Sequence, residues 1–174
     1  FESPVGDTAI WTYEQFDELV TRVGHWLSDR GVEKGSSVHL ALANCPAFVA
    51  VWLAVTRLGG WIIPSDPMGS SDELAGHIRR TRPVIGFCAV PRAEIYRSAC
   101  GSLSVVEGDE SDTHLLVFGK EALARWPEPG FTDRAAVMFT SGTTGVPKGV
   151  EVTQANYAFA GQTMAHAAAL NEDD

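Results

Sequence analysis

Two hydrophobic periods take turns along this chain, and their alternation restricts the fold more than any other feature. Thr12 and Gln15 stand as a capping box. Phe16, Leu19, Val20, Val23, Trp26 and Leu27 follow at helical spacing, with Gly31 where a terminating glycine belongs. Val38, Leu40 and Leu42 then alternate as in a strand. Asn44-Cys45-Pro46 opens a second helix with proline in its first turn, and residues 48–58 are apolar nearly all round, which predicts a buried helix ended by Gly59-Gly60. Trp61-Ile62-Ile63 is a short strand closed by Pro64. Ser70 and Glu73 cap a helix that must end before Pro83, and residues 84–90 form an unbroken apolar strand. Beyond it the pattern predicts a helix over 91–100, a strand over 103–106, a polar turn over 108–112, a strand over 115–118 and a short helix over 120–126. After a loop at 127–130 come strands over 135–140 and 150–153 and an alanine-rich helix over 156–170.

An unbroken apolar strand is one covered on both faces. Strands of that kind alternating with helices predict an α/β fold, a mostly parallel sheet with helices on both faces. Ligands of such sheets sit beyond the carboxyl ends of the strands, so the segment after 135–140 is where chemistry is expected.

The chain has 174 residues, 45% of them hydrophobic, enough to build a core without disulfide or metal staples. Asp and Glu number 22 against 13 Lys and Arg, a net charge of −9. That balance weighs against nucleic acid or an anionic membrane as partner. It leaves room for a phosphate ligand, because a local loop binds an anion inside an acidic protein. The three cysteines, Cys45, Cys88 and Cys100, form no Cys-x-x-Cys pair, as expected of a reducing, cytoplasmic setting. The longest apolar run, 47–55, is too short for a membrane span, and the chain shows no basic and apolar leader at its start. The five histidines have no metal-ligand spacing, and any metal site is left unspecified. His25, on the polar side of the first helix, and His77, flanked by Arg79 and Arg80, read as solvated. Trp26, Trp52 and Trp61 read as packing residues.

The segment after the 135–140 strand is Phe139-Thr140-Ser141-Gly142-Thr143-Thr144-Gly145-Val146-Pro147-Lys148-Gly149. Its glycines allow the backbone to approach a ligand closely. Successive N–H groups in such a loop form an anion-binding nest. Thr140, Ser141, Thr143 and Thr144 add hydroxyl donors and Lys148 a positive charge. Together these describe a phosphate-gripping loop; the alternative is a flexible polar loop with a solvated lysine. A strict P-loop would place Gly at 147 and Ser or Thr at 149, where this chain has Pro147 and Gly149. No Gly-x-Gly-x-x-Gly follows a strand, which weighs against a dinucleotide oxidoreductase. With small polar residues and three glycines, residues 142–149 are expected to be poorly packed and mobile.

The string from Thr140 to Gly149 resembles the signature motif of the adenylate-forming ligases, which include acyl-CoA synthetases, amino-acid adenylation domains and beetle luciferases. Trp11-Thr12-Tyr13-Glu14-Gln15-Phe16, Asn44-Cys45-Pro46-Ala47-Phe48 and Leu58-Gly59-Gly60-Trp61-Ile62-Ile63-Pro64 are similar to earlier stretches of the same family. The resemblance implies that residues 1–174 are an incomplete part of the large N-terminal domain of an adenylate-forming enzyme, with the acyl pocket, acidic metal ligand and lid lysine beyond this chain. No catalytic residue is then expected within it, and the isolated chain is expected to be inactive. The implied reaction is attack of a small carboxylic acid on ATP, with Mg²⁺, to give an acyl-adenylate, then transfer to coenzyme A, as in fatty-acid or aryl-acid metabolism. The resemblance assigns Thr140, Ser141, Gly142, Thr143, Thr144, Gly145, Lys148 and Gly149 to nucleotide binding. Thr143 favours the acyl-CoA side, since amino-acid-activating relatives more often carry Ser there. Loading of a carrier-protein thiol, or a non-catalytic nucleotide-binding module, are the alternatives. Gln154 stands where the family usually has His, near its substrate pocket; an amide can line that pocket but cannot titrate near neutral pH.

Overall fold

The first helix forms where its cap stands. In the computed structural model, which describes residues 10–108, 126–140 and 147–171, α1 (Tyr13–Ser28) is closed by reciprocal bonds: Gln15 N–H to Thr12 Oγ1 at 3.2 Å and Thr12 N–H to Gln15 Oε1 at 2.9 Å. It leads to β1 (Ser37–Ala41), α2 (Pro46–Arg57), β2 (Trp61–Pro64), α3 (Ser71–Thr81) and β3 (Ile85–Ala89). A single 3-10 turn over Val90–Arg92 precedes α4 (Ala93–Cys100), because Pro91 suits a helix's first turn but not its interior. The remaining elements are β4 (Ser104–Gly108), β5 (Arg134–Thr140), β6 (Lys148–Thr153) and α5 (Gln154–Ala167). The strand expected over 115–118, and the helix over 120–126 apart from Trp126, lie outside the described residues.

The six strands form one sheet in the order β4-β3-β1-β2-β5-β6, parallel except for the antiparallel β5–β6 hairpin. The chain steps from β1 to β2 in one direction and from β2 back across β1 to β3 in the other. Right-handed crossovers in opposite directions place their helices on opposite faces. Val20, Val23 and Leu27 of α1 and Ala50, Val51 and Ala54 of α2 accordingly share one core with Val38, Leu40, Ile62 and Phe87. Leu74 and Ile78 of α3 and Tyr96 and Cys100 of α4 pack with Ala41 and Cys88 on the other face. The expected sheet with helices on both faces is the fold observed.

Two elements differ in detail from their sequence patterns. α2 is buried through Ala47, Ala50, Val51, Ala54 and Val55 against α1 and the sheet, and Trp52 meets Tyr157 of α5 edge-on, yet Val49 and Leu53 remain 44% and 39% exposed. α5 begins earlier than expected, because Thr153 and Asn156 form a capping box of their own. It has no fully buried residue, and Phe159 and Met164 are exposed. The three cysteines are buried. Among the described residues no helix is long and apolar enough to cross a membrane.

Glycine serves a packing purpose at one strand position. A Cβ added at Gly86 of β3 would collide with the hydroxyl of Tyr96, which is fully buried, and would come 3.1 Å from Leu103 Cδ2. Gly76 of α3 has nothing within 4 Å of its own added Cβ. The two alanine substitutions should therefore have opposite signs. Gly86→Ala is expected to destabilise by about 1–3 kcal/mol through overpacking. Gly76→Ala is expected to stabilise by up to about 1 kcal/mol through helix propensity. Denaturant midpoints of the two variants check both.

Candidate functional site

The β5–β6 hairpin sets the geometry of the expected ligand loop. Thr140 and Lys148 are ladder partners at its mouth, and Phe139 is paired with Gly149. The Thr140 hydroxyl and the Lys148 ammonium thus come from facing positions, both exposed, at the carboxyl end of β5. Ser141, Gly142, Thr143, Thr144 and Gly145 lie outside the described residues, as does most of the segment expected to be mobile. Gly149 has a further effect on the hairpin. A Cβ there would lie 3.1 Å from Val137 Cγ1 and 3.4 Å from Phe139 Cε1, so its absence leaves room for those side chains.

β5 joins the parallel sheet through β2, with Ile62 opposite Ala136. Counting on from that pair puts Ser65, just past β2, level with Phe139. Here the structure assembles a polar cluster that the sequence reading did not identify. His39 of β1 is wholly buried; its Nδ1 lies 2.7 Å from the Tyr96 hydroxyl and its Nε2 2.9 Å from Ser65 Oγ. Ser65 Oγ lies 2.8 Å from Nδ1 of His77. The His77 ring lies flat on Phe139, with centroids 4.0 Å apart and planes 8° from parallel. Arg80, one turn along α3, holds its guanidinium 4.9 Å from the same ring, and its Nη1 donates to the Pro147 carbonyl at 2.6 Å.

His77 is 5% exposed, so its expected solvation is corrected. Leu74, His77 and Ile78 are spaced i, i+3, i+4 and share the inward face of α3, while Arg79 and Arg80 are exposed. The spacing was the signal to follow, and the flanking charges obscured it. His25 is half-buried rather than free in solvent. His39 was masked because a histidine inside a strand buried on both faces looks like one more core position.

Burial holds His39 at a pKa of about 3, well below its ordinary 6.5, and the charge His77 would carry adds to the depression. Burial also lowers His77; Glu73 opposes the shift and Arg80 reinforces it. Burial raises the Tyr96 phenol. All three side chains are therefore neutral near pH 7, and hydrogen-bond accounting compares the two directions in which the series can run. If Tyr96 donates to His39, His39 to Ser65 and Ser65 to His77, each of these hydrogens has an acceptor and the series ends on a His77 Nε2–H. That order leaves one buried group unmet, the Nε2–H, whereas the reverse leaves two among the described residues, the Tyr96 hydroxyl hydrogen and the Nε2 lone pair, so the first is favoured. His77 Nε2 is buried and has no partner among the described residues.

Gln154 sits apart from this edge. Thr153 pairs with Arg134 at the start of β5, six positions or about 20 Å from Thr140. The Gln154 N–H donates to the Asp133 carbonyl, and its side chain lines a surface cleft with Thr56, Arg57, Trp126, Pro127 and Pro129. Among the described residues, no group of three or more His, Cys, Asp or Glu could hold a metal ion.

The profile of the AMP-binding enzyme family matches residues 2–174. The crotonobetaine/carnitine–CoA ligase of Salmonella arizonae is 28% identical over 188 aligned positions, which take in 100% of this chain and 36% of that protein. The ligase of the same name from Citrobacter koseri is 28% identical over 193 positions, with 100% and 36% covered. Among solved structures, ATP-bound MatB from Rhodopseudomonas palustris aligns with a TM-score of 0.78 at 27% identity, over 95% of this chain and 33% of that one. The N-terminal domain of FACL13 from Mycobacterium tuberculosis aligns with a TM-score of 0.71 at 25% identity, over 82% and 37%. The chain thus spans 36% of the length of the curated relatives it matches.

The buried histidines give stability a pH dependence of definite sign. His39 takes up its proton on unfolding throughout the interval from about 6.5 down to about 3. The unfolded state binds more protons there, so the stability due to neutral burial is complete above about pH 6.5 and is lost as pH falls. His39 alone is expected to supply a slope approaching about 1.4 kcal/mol per pH unit within that window. Urea unfolding at pH 7 and pH 5 should show the loss in the wild-type chain and a flatter dependence in His39→Asn; equal slopes would rule out the assignment.

Proposed function

The chain belongs to the AMP-binding enzyme family, and on that premise we propose that it carries the nucleotide-gripping part of an acid–thiol ligase. The proposed reaction is ATP-dependent activation of a small carboxylic acid to an acyl-adenylate with release of pyrophosphate. Transfer of the acyl group to the thiol of coenzyme A follows. The observation that carries this reading is the hairpin mouth: Thr140 and Lys148 face each other across the ends of a Gly/Ser/Thr string, at the carboxyl edge of a parallel sheet.

In this reading Thr140, Ser141, Thr143 and Thr144 donate hydroxyls to phosphate oxygens. Gly142, Gly145 and Gly149 let the backbone come close, and Lys148 neutralises charge on the departing pyrophosphate. Work of this kind is positioning and charge stabilisation rather than covalent chemistry. The described residues offer no carboxylate or imidazole cluster to hold Mg²⁺, so no step is assigned to a protein-bound metal. Gln154 is retained as a pocket-lining amide, in a cleft at the other end of β5 from Thr140 and Lys148. Coenzyme A is preferred to a carrier-protein thiol because the named curated relatives are CoA ligases and because Thr143 stands in the motif. Three cysteines without a Cys-x-x-Cys pair support a reducing, cytoplasmic setting. The acid itself is proposed only as a small carboxylate, carnitine-related acids being a natural first set to assay given those relatives' names.

We further propose that residues 1–174 belong to a longer ligase and do not complete the reaction alone. Carboxylate-dependent exchange of labelled pyrophosphate into ATP by the 174-residue chain would overturn this. In the full-length protein, replacing Lys148, Thr143 and Thr144 together by Ala is expected to lower turnover by about a hundredfold or more and to weaken ATP saturation. Unchanged ATP saturation and turnover in that triple variant would overturn the assignment of the loop. Thioester formation on free coenzyme A, against formation on a carrier protein, decides the acceptor.

A further inference from the structure

Two residues on one side of α3 touch the strands that enter and leave the 141–146 segment. His77 lies flat on Phe139, the residue before Thr140, and Arg80 both covers that ring and bonds the Pro147 carbonyl, the residue before Lys148. Their i, i+3 spacing brings both to the same side of the helix. α3 is itself well anchored. Ser70 caps it, Arg92 donates to the carbonyls of Pro67 and Gly69 at 3.0 and 2.7 Å, and Ser71 bonds Ser98 of α4 at 2.9 Å. The inner edge of the His77 ring is tied through Ser65 and His39 to Tyr96. That series leaves His77 no freedom to turn away from Phe139 without breaking its part-buried hydrogen bond to Ser65.

We propose that His77 and Arg80 are positioning residues for nucleotide binding: they fix the spacing of the two stems of the phosphate loop, His77 on the entering stem and Arg80 bridging both. The inference rests on the reading of that loop as an ATP site. A loop rich in glycine has many conformations of similar energy. Holding both of its ends reduces the ordering that triphosphate binding must impose and aligns the donors before the ligand arrives. The effect belongs to ATP and not to the acid.

The test uses the full-length protein, with ATP and acid KM, kcat and melting temperature measured for each variant. Arg80 is exposed, so Arg80→Ala should leave the melting temperature and the acid KM unchanged while raising the ATP KM about tenfold. Arg80→Lys should recover only part of the loss, keeping a donor but not the flat guanidinium over Phe139. His77→Ala should raise the ATP KM as well, whereas His77→Phe, which keeps a face on Phe139, should stay within about twofold of wild type. If His77→Ala fails to fold, the Arg80 pair decides. Lys148→Ala serves as the control. If it weakens ATP while Arg80→Ala changes nothing, or changes only the melting temperature, the positioning role is overturned and the loop reading stands. If neither variant affects ATP, both fall.

Discussion

The place of the whole ligand edge depends on one parallel pairing, β5 alongside β2. β1, β2 and β3 make a self-consistent unit whose crossovers cover both faces. Without β5 that unit ends at β2 with an open edge. Pairing Ile62 with Ala136 closes the edge and aligns the carboxyl ends of β2 and β5. It thereby delivers Phe139 to the level of Ser65, and the hairpin mouth to the rim where loops of a parallel sheet meet ligands. β6 then runs back antiparallel, which carries Thr153 and Gln154 to the opposite end of β5. Lys148 and Gln154, so close in sequence, stand at opposite ends of β5 for that reason.

A sheet covered on both sides has no polar face, and that raises the cost of the histidine in β1. A buried polar ring without partners would cost several kcal/mol. His39 avoids this by bonding on both nitrogens, and Gly86 makes the arrangement possible by leaving space for the Tyr96 ring. The network is demanding in the sense that each member needs the next. Its outermost member lies against the ligand hairpin, so a constraint arising in the core is felt at the rim.

The sequence made the elements legible because caps and periods are local properties. Thr12 with Gln15 and Ser70 with Glu73 mark their helices correctly, and the unbroken apolar run near 84–90 marks a strand buried on both faces. The strand-then-glycine string placed the proposed ligand loop after a strand, and β5 does end at Thr140. What stayed hidden is non-local. Nothing in the neighbourhood of His39 announces that Tyr96, 57 positions on, will bond it. His77 was read from its charged neighbours, although its spacing from Leu74 and Ile78 already placed it inward. Arg80 could not be linked to Pro147, 67 positions away, without the hairpin in place. Local rules therefore reached the loop, while the residues that brace it became visible only through the topology.

An acidic chain proposed to grip a triphosphate looks contradictory only if charge acts over long distances. At physiological ionic strength the field of dispersed carboxylates is screened within about 8 Å. What a phosphate group meets at the hairpin is local: the Lys148 ammonium and the Thr140 hydroxyl at the mouth, with the guanidinium of Arg80 behind Phe139. The net charge of −9 would then slow encounter with polyanions in general without cancelling the local attraction proposed at the hairpin mouth. Selectivity against other anions follows from the same separation. On that proposal a free anion would gain little from a single exposed lysine, whereas a ligand long enough to span the mouth would meet the Lys148 ammonium and the Thr140 hydroxyl together.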